Sequence, residues 1–381
     1  MTLRIGILGT RGIPNHYGGF EQVAGYLSKG LIEKGHDVTV YNSHNHPYQQ
    51  RMWNGVRIVH CYDPEYLIGT AGQFAYDFNC LIDARKRNFD ILLLLGYTSS
   101  SIWWFLYPQD AVVISNMDGL EWKRTKYSKP VQKFLKYAEK LAVKHSNFHI
   151  ADSVIIKQYL DEKYGINCMY IPYGAEIFGN EKALFQNDLG LSNQEYFLLM
   201  ARMEPENNVE VILDGFRDST TDKKFVVIGD TRNKFGNYLV KKFKSDNRIC
   251  FAGSIYNKEK VQHLTSHSSI YFHGHSVGGT NPSLLEAMAE EAFIAAHDNP
   301  YNKAVLNGDA TYFSNAEDVR TLINSVEKGD VKTCKVKSHL TKIKNQFNWQ
   351  MIVEEYEQFM ISCYLKSKNE KPIYHPGYTN Q

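Results

Sequence analysis

Cysteine is scarce in this chain and never closely spaced: there are six in 381 residues, the nearest two being Cys61 and Cys80. That spacing excludes a disulfide scaffold and a zinc-ligand pattern, and it fits a reducing cytoplasm. Long apolar runs are missing too. The longest, Ile91–Leu95 and Ile102–Tyr107, fall far short of a bilayer span. Met1 is followed by a strand-like run, Leu3–Leu8, rather than by a secretory apolar segment, so a cytoplasmic protein is expected. An excess of one charge is lacking as well: a net charge of +2 gives no reason to expect a nucleic-acid partner. Internal repeats and low-complexity segments are absent.

What remains is the composition of a globular protein, 43% hydrophobic and 22% charged, with length enough for two domains and large cores. The 25 Tyr and 20 Phe suit either sugar-stacking surfaces or an aromatic core. In the first half, short β-rich runs alternate with helical patterns, which predicts a parallel sheet with helices on both faces. Strands are expected at Arg4–Leu8, Asp37–Asn42, Val56–Cys61, Ile91–Gly96, Val112–Ser115, Phe148–Ala151 and Met169–Ile171. Between the first two, Phe20, Val23, Ala24, Leu27 and Leu31 share a helical face, with Gly35 as the stop. A second series follows Gly179 and a polar stretch near Asn187–Asn193: Tyr196–Ala201, Phe225–Gly229, Arg248–Ala252, Ser269–Phe272 and Phe293–Ala296. The chain therefore reads as an α/β protein of two Rossmann-like domains, 1–175 and 190–345, joined between Tyr173 and Gln194. An amphipathic helix is expected over 349–366, and Tyr374–Gln381 reads as a polar tail.

The segment His273–Ala289, His-Gly-His-Ser-Val-Gly-Gly-Thr-Asn-Pro-Ser-Leu-Leu-Glu-Ala-Met-Ala, is the most informative. A strand runs into a glycine-rich turn, then into a helix with Asn281 placed to cap it and Pro282 at its first position. Gly279, Thr280 and Asn281 would present backbone N–H groups and a positive helix end to a phosphate. Glu286, one turn in, can accept hydrogen bonds from sugar hydroxyls. The plain alternative is an ordinary strand–turn–helix with a solvated Glu. Near the start, Gly6-Ile7-Leu8-Gly9-Thr10-Arg11-Gly12 invites a dinucleotide reading. Its spacing is Gly-x-x-Gly-x-x-Gly, however, and the second strand closes on Tyr41-Asn42 with no acid for a ribose. The long loop after Gly12, with Gly18 and Gly19 ahead of Glu21, suits a bulky substrate facing a cleft.

Gly-Thr-Arg-Gly-Ile-Pro, Tyr-Gly-Gly-Phe-Glu and Gly-His-Asp-Val-Thr-Val within Gly6–Val40 resemble the N-terminal domain of GT-B glycosyltransferases of family 4. More narrowly, they resemble a bacterial rhamnosyltransferase-like subgroup whose N-terminal domain was formerly of unknown function. Asn116–Arg124, Ala151–Ser153, Ile171–Ala175, Ala201–Asn208 and the Gly-Gly-Thr-Asn-Pro-Ser-Leu-Leu-Glu turn match the same pattern, so the likeness spans Leu3 to Tyr364. It implies two Rossmann-like domains facing a cleft, with the nucleotide sugar held mainly by the second and the acceptor by the first. It also implies a C-terminal helix that crosses back to the first domain. No metal cofactor is implied, because helix N-termini and basic side chains neutralise the leaving diphosphate; the chain has no Asp-x-Asp at a strand end.

On that resemblance Arg202 grips the diphosphate, as a guanidinium does well, and Glu286 holds the ribose. The Lys usual five residues after the Arg is Asn207 here. A second Glu, usual eight residues before Glu286, is Gly278 here, which argues for a donor with a different hydroxyl pattern and makes L-rhamnose the natural candidate. His273 and His275 flank Gly274 and should point the same way; His275 lies either beside the donor or packed in its loop. Metal ligation by these two, or by His44 and His46, is disfavoured for want of a third ligand. Asp118 stands where many family members carry a cleft His, and Glu121 is close. Either can orient or deprotonate an acceptor hydroxyl; the bland reading makes Asp118 a helix cap. Asp152 and Tyr173 sit at strand ends on the interdomain face, with a cap and a hinge filler as their structural alternatives.

Lys123, Arg124, Lys126, Lys129, Lys133, Lys136, Lys140 and Lys144 form a basic run in which the last five recur at helical steps on one face, and Trp103–Tyr107 supplies apolar bulk in the same domain. Such a run is either a solvated face or a docking face for an anionic bilayer. The expected activity is transfer of a sugar, L-rhamnose from dTDP-rhamnose, to a lipid-linked saccharide in surface-polysaccharide synthesis, with retention. The enzyme would be cytoplasmic and peripheral on the inner face of the membrane. The alternatives are a UDP-sugar donor, a non-transferring sugar-nucleotide epimerase, an oxidoreductase, and a catalytically silent binding subunit.

Overall fold

The computed structural model describes residues 1–16, 18–177, 191, 196–327 and 337–369. The expected start of the second series after Gly179, nearly all of the stretch Asn187–Asn193, and the tail Tyr374–Gln381 lie outside the described residues. Two sheets are present among the described residues. The first contains β1 (Arg4–Leu8), β2 (Asp37–Ser43), β3 (Met52–Trp53), β4 (Val56–Cys61), β5 (Ile91–Leu95), β6 (Val112–Asn116), β7 (Phe148–Ala151) and β8 (Met169–Tyr170), in the order β3-β4-β2-β1-β5-β6-β7-β8. The second contains β9 (Tyr196–Met200), β10 (Lys224–Ile228), β11 (Ile249–Gly253), β12 (Ile270–His273), β13 (Ile294–His297) and β14 (Thr311–Phe313), in the order β11-β10-β9-β12-β13-β14. All neighbours run parallel except β3 against β4.

Every expected strand is present to within a residue at each end, and two short ones, β3 and β14, escape the sequence reading. Central strands are legible because helices cover both faces, so their residues are continuously apolar: all five of Ile91–Leu95 are buried. The helix Gly19–Glu33 buries Val23, Ala24, Leu27 and Leu31 as its spacing requires. In the second domain the Phe surplus is used internally. Phe197, Phe216, Phe225, Phe272 and Phe313 pack with ring centroids 5.1–6.3 Å apart.

The last helix, Trp349–Asn369, crosses back onto the first sheet's helices. Trp349 stacks on Tyr26 at 4.5 Å. Val353 packs against Gly30, where any side chain would collide with it. The buried Tyr356 hydroxyl accepts from Asn116 at 3.0 Å, and Lys34 bridges Glu354 and Glu357.

Candidate active site

The turn after β12 folds as its residues dictate. Asn281 Oδ1 accepts from the Ser283 N–H at 3.0 Å and so caps the helix Pro282–Ala289, with Pro282 at its first position. Gly278 has φ +135, a region that L side chains rarely adopt, so the family's usual Glu would be strained here. Gly279 needs its lack of a side chain for another reason: a Cβ there would overlap the Asp152 carboxyl, which comes from the first domain. Beside it the Thr280 hydroxyl donates to the Asp152 carbonyl. Gly119 and Gly278 approach so closely that a Cβ on Gly119 would lie 3.7 Å from the Gly278 Cα. The glycines thus let two backbones meet across the cleft.

A second helix begins at the same place. Gly19 starts the helix Gly19–Glu33, and a Cβ on it would lie 3.2 Å from Pro282 Cγ and 3.8 Å from Tyr173 Cε2. Two positive helix ends therefore face one seam. Gln22, on the first turn, donates to Glu286 at 3.0 Å, and burial raises the Glu286 pKa. Gly18 lies beside the Glu21 carboxylate, which is buried and accepts the Arg11 N–H at 2.8 Å. Glu21 is thus turned into its own domain.

Because β6 and β7 are neighbours, their ends bring Asp118 and Asp152 together. Burial first, then the charge of Glu121, pushes the Asp118 carboxyl up to about 7. Asp152 is 1% exposed and is held well above the usual carboxylate range by burial and by Asp118, and its Oδ1 has no hydrogen-bond partner among the described residues. Neither carboxyl caps a helix: Ser153 supplies the cap at Val154–Tyr164, and the turn Glu121–Lys123 has no side-chain cap. Glu121 is held by Arg124 Nε at 2.7 Å. Tyr173 is buried against this group, its hydroxyl raised by burial and by Asp152 and Asp118.

Arg202 follows β9, is exposed, and has no ion-pair partner among the described residues. Its charge reaches Asp118 and helps hold the His275 pKa down, behind burial and His273. His273 and His275 stack at 4.5 Å and 17°, pointing the same way. Neither His273 ring nitrogen nor His275 Nδ1 has a hydrogen-bond partner among the described residues. Burial pushes His273 down to about 3 and His275 well below its ordinary value, which favours the uncharged form of each ring. Asn207 is buried and donates to the Arg202 carbonyl at 2.8 Å, fixing the backbone from which the guanidinium extends.

Two residues that the sequence reading passed over complete the site. Arg124 was counted in the basic run, yet it is mostly buried between Glu121 and the second domain's Glu206 at 3.4 Å. Asn42, read only as a missing acid, holds the glycine loop through Ile13: its Oδ1 accepts the N–H at 3.0 Å and its amide donates to the carbonyl at 2.8 Å. On the basic helix Lys129–His145, Lys129, Lys133, Lys136, Lys140 and Lys144 are all exposed, and the Lys136 ammonium also sits 4.6 Å from the Trp122 ring centroid.

Two family models match the chain: a domain of unknown function, DUF1972, over residues 3–176, and glycosyl transferases group 1 over residues 181–338. An uncharacterized glycosyltransferase of Methanocaldococcus jannaschii, MJ1069, is 26% identical over 243 residues; the match covers 58% of this chain and 59% of that protein. Sucrose-phosphate synthase from Thermosynechococcus elongatus superposes with a TM-score of 0.80 at 15% identity, over 96% of this chain and 100% of that one. Anabaena HepE in complex with UDP-glucose does so with a TM-score of 0.72 at 13% identity, over 94% and 100%. The chain thus has the GT-B fold, its first half matching the DUF1972 model and its second half the glycosyl transferases group 1 model.

Proposed function

We propose that this protein is a glycosyltransferase that moves L-rhamnose from dTDP-rhamnose to a lipid-linked saccharide, with retention and without a metal ion. The observation that carries the reading is the seam itself. Arg202, without an ion-pair partner among the described residues, lies close enough to Asp118 and His275 for its charge to act on both, and the Gly279–Asn281 turn leads into one of the two helix N-termini at the seam, an arrangement suited to a diphosphate. The neutral imidazole of His275 adds a donor that carries no charge to neutralise. Glu286 would accept the single 3′-hydroxyl of a deoxyribose. Gly278, with no Cβ, leaves open space where a bulkier residue would meet the sugar.

In this reading the acceptor hydroxyl oxygen bonds to the anomeric carbon as the bond to the diphosphate oxygen breaks. Its proton passes to the Asp118 carboxylate, whose pKa near neutrality suits that task. Glu121, Asp152 and Tyr173 orient the reacting groups, and Gly18, Gly19 and Glu21 shape the acceptor's approach. A peripheral position on the inner membrane is supported by exposed Phe78, Trp104, Phe105, Phe134 and Tyr137, with Lys133, Lys140 and Lys144 alongside. Among the described residues, no helix is long and apolar enough to cross a membrane.

The test is turnover of dTDP-rhamnose and a panel of UDP- and ADP-sugars, with and without a bacterial lipid-saccharide extract, in the presence of EDTA. Release of nucleoside diphosphate should require the extract. Consumption of donor without acceptor would mean an epimerase, and consumption of no donor under either condition would refute the proposal.

A further inference from the structure

A cavity of about 230 Å³ opens in the first domain beyond the carboxyl ends of β1, β2 and β4. Arg11, His16, Glu21, Asp63, Glu65 and Tyr66 are among its walls. His16 stacks on Tyr256 of the second domain at 6.0 Å and 19°, so the mouth lies at the interdomain cleft. Its Glu21 wall adjoins Gly18, next to the Gly19 contact with Pro282 and Tyr173. The cavity and the seam therefore share one rim.

We infer that this cavity is the subsite for the acceptor's terminal sugar, and that it takes an uncharged pyranose and rejects a uronate or phosphorylated one. The inference rests on the transfer reading above and adds the acceptor's chemistry. Size comes first: the volume is below the roughly 300 Å³ at which pockets for drug-sized ligands begin, which suits a single sugar ring. The charges decide the rest. Arg11 is spent on Glu65, gripping it through Nε at 2.8 Å and Nη2 at 2.5 Å. His46 is occupied on both nitrogens, by the Pro14 carbonyl and the Tyr48 N–H. Glu21 and Asp63 remain, both buried, their hydrogen-bond partners among the described residues being the neutral N–H groups of Arg11 and Glu65. Two carboxylates with no ion-pair partner among the described residues accept hydrogen bonds from hydroxyls and repel a second anion in a partly dry space. The rings of His16, Pro47 and Tyr66 offer faces for the C–H side of a pyranose.

The probes are methyl glucoside, methyl rhamnoside and methyl glucuronide, followed by saturation-transfer NMR on the full chain, with UDP and dTDP binding measured by calorimetry on the same samples. The neutral glycosides should bind the parent at least tenfold better than the glucuronide. Glu21→Gln with Asp63→Asn should bring the glucuronide within twofold of the glucoside. Asn45→Trp, an exposed wall position, should abolish glycoside binding while nucleotide binding persists. Equal binding of glucoside and glucuronide by the parent overturns the inference, as does undiminished binding by Asn45→Trp or the absence of any glycoside signal in a sample that binds nucleotide. Glycoside binding without nucleotide binding would leave the subsite standing and remove the transfer reading.

Discussion

Gly279→Ala should hold the two domains apart without unfolding either. The backbone at Gly279 is not in the left-handed region, so alanine is tolerated by the loop itself. The added methyl would instead overlap the Asp152 carboxyl across the seam, far inside ordinary contact distance. Asp152 is 1% exposed and cannot swing into solvent. Overpacking of this kind costs about 1–3 kcal/mol, and with tenfold per 1.4 kcal/mol the closed arrangement should lose a factor of about 5–150 in population. Small-angle scattering should show a larger radius of gyration for the variant, and turnover should fall by the same factor. Nucleotide affinity, set mostly by the second domain, should change less than threefold. Adding Asp152→Ala should restore the compact radius, though not the turnover. A Gly279→Ala protein as compact and as active as the parent would refute the reasoning.

Other outcomes follow from single contacts. Tyr356→Phe removes the buried partner of Asn116 and should lower stability by about 1–3 kcal/mol, read by denaturant melts. Asp118 titrates near 7 when folded against 3.8 unfolded, so the folded state binds the extra proton and stability falls as pH rises through that window. Asp118→Asn should accordingly raise the melting temperature relative to the parent more at pH 8 than at pH 5, and should remove an acidic limb near pH 7 from kcat/KM. Changing Lys133, Lys140 and Lys144 to Glu should abolish salt-sensitive flotation with vesicles containing phosphatidylglycerol. Lys136→Glu alone should alter flotation little, because its ammonium lies over Trp122.

Residues whose environment is local were legible in the chain. The Asn281 cap, the Pro282 start, the apolar run of β5 and the shared direction of His273 and His275 all follow from short-range chemistry. The strands β3 and β14 were not, because two or three residues carry no usable alternation. The aromatic surplus was ambiguous until packing assigned five Phe of the second domain to a core. Arg124 was hidden within a basic run, since only tertiary structure turns it between Glu121 and Glu206. The meeting of Asp118, Asp152 and Gly279 depends on strand order and on the second domain. Spacing along the chain contains neither.

The central claim is that a nucleoside diphosphate binds between Arg202 and the Gly279–Asn281 amides. Calorimetric titration of dTDP and UDP into the parent and into Arg202→Ala tests it most directly. The account predicts saturable binding of at least one nucleotide, weakened at least tenfold by Arg202→Ala, as expected for a lost charge-assisted bidentate contact worth about 1.5–3 kcal/mol. Equal affinity in the two proteins, or no binding of either nucleotide to the parent, would contradict it.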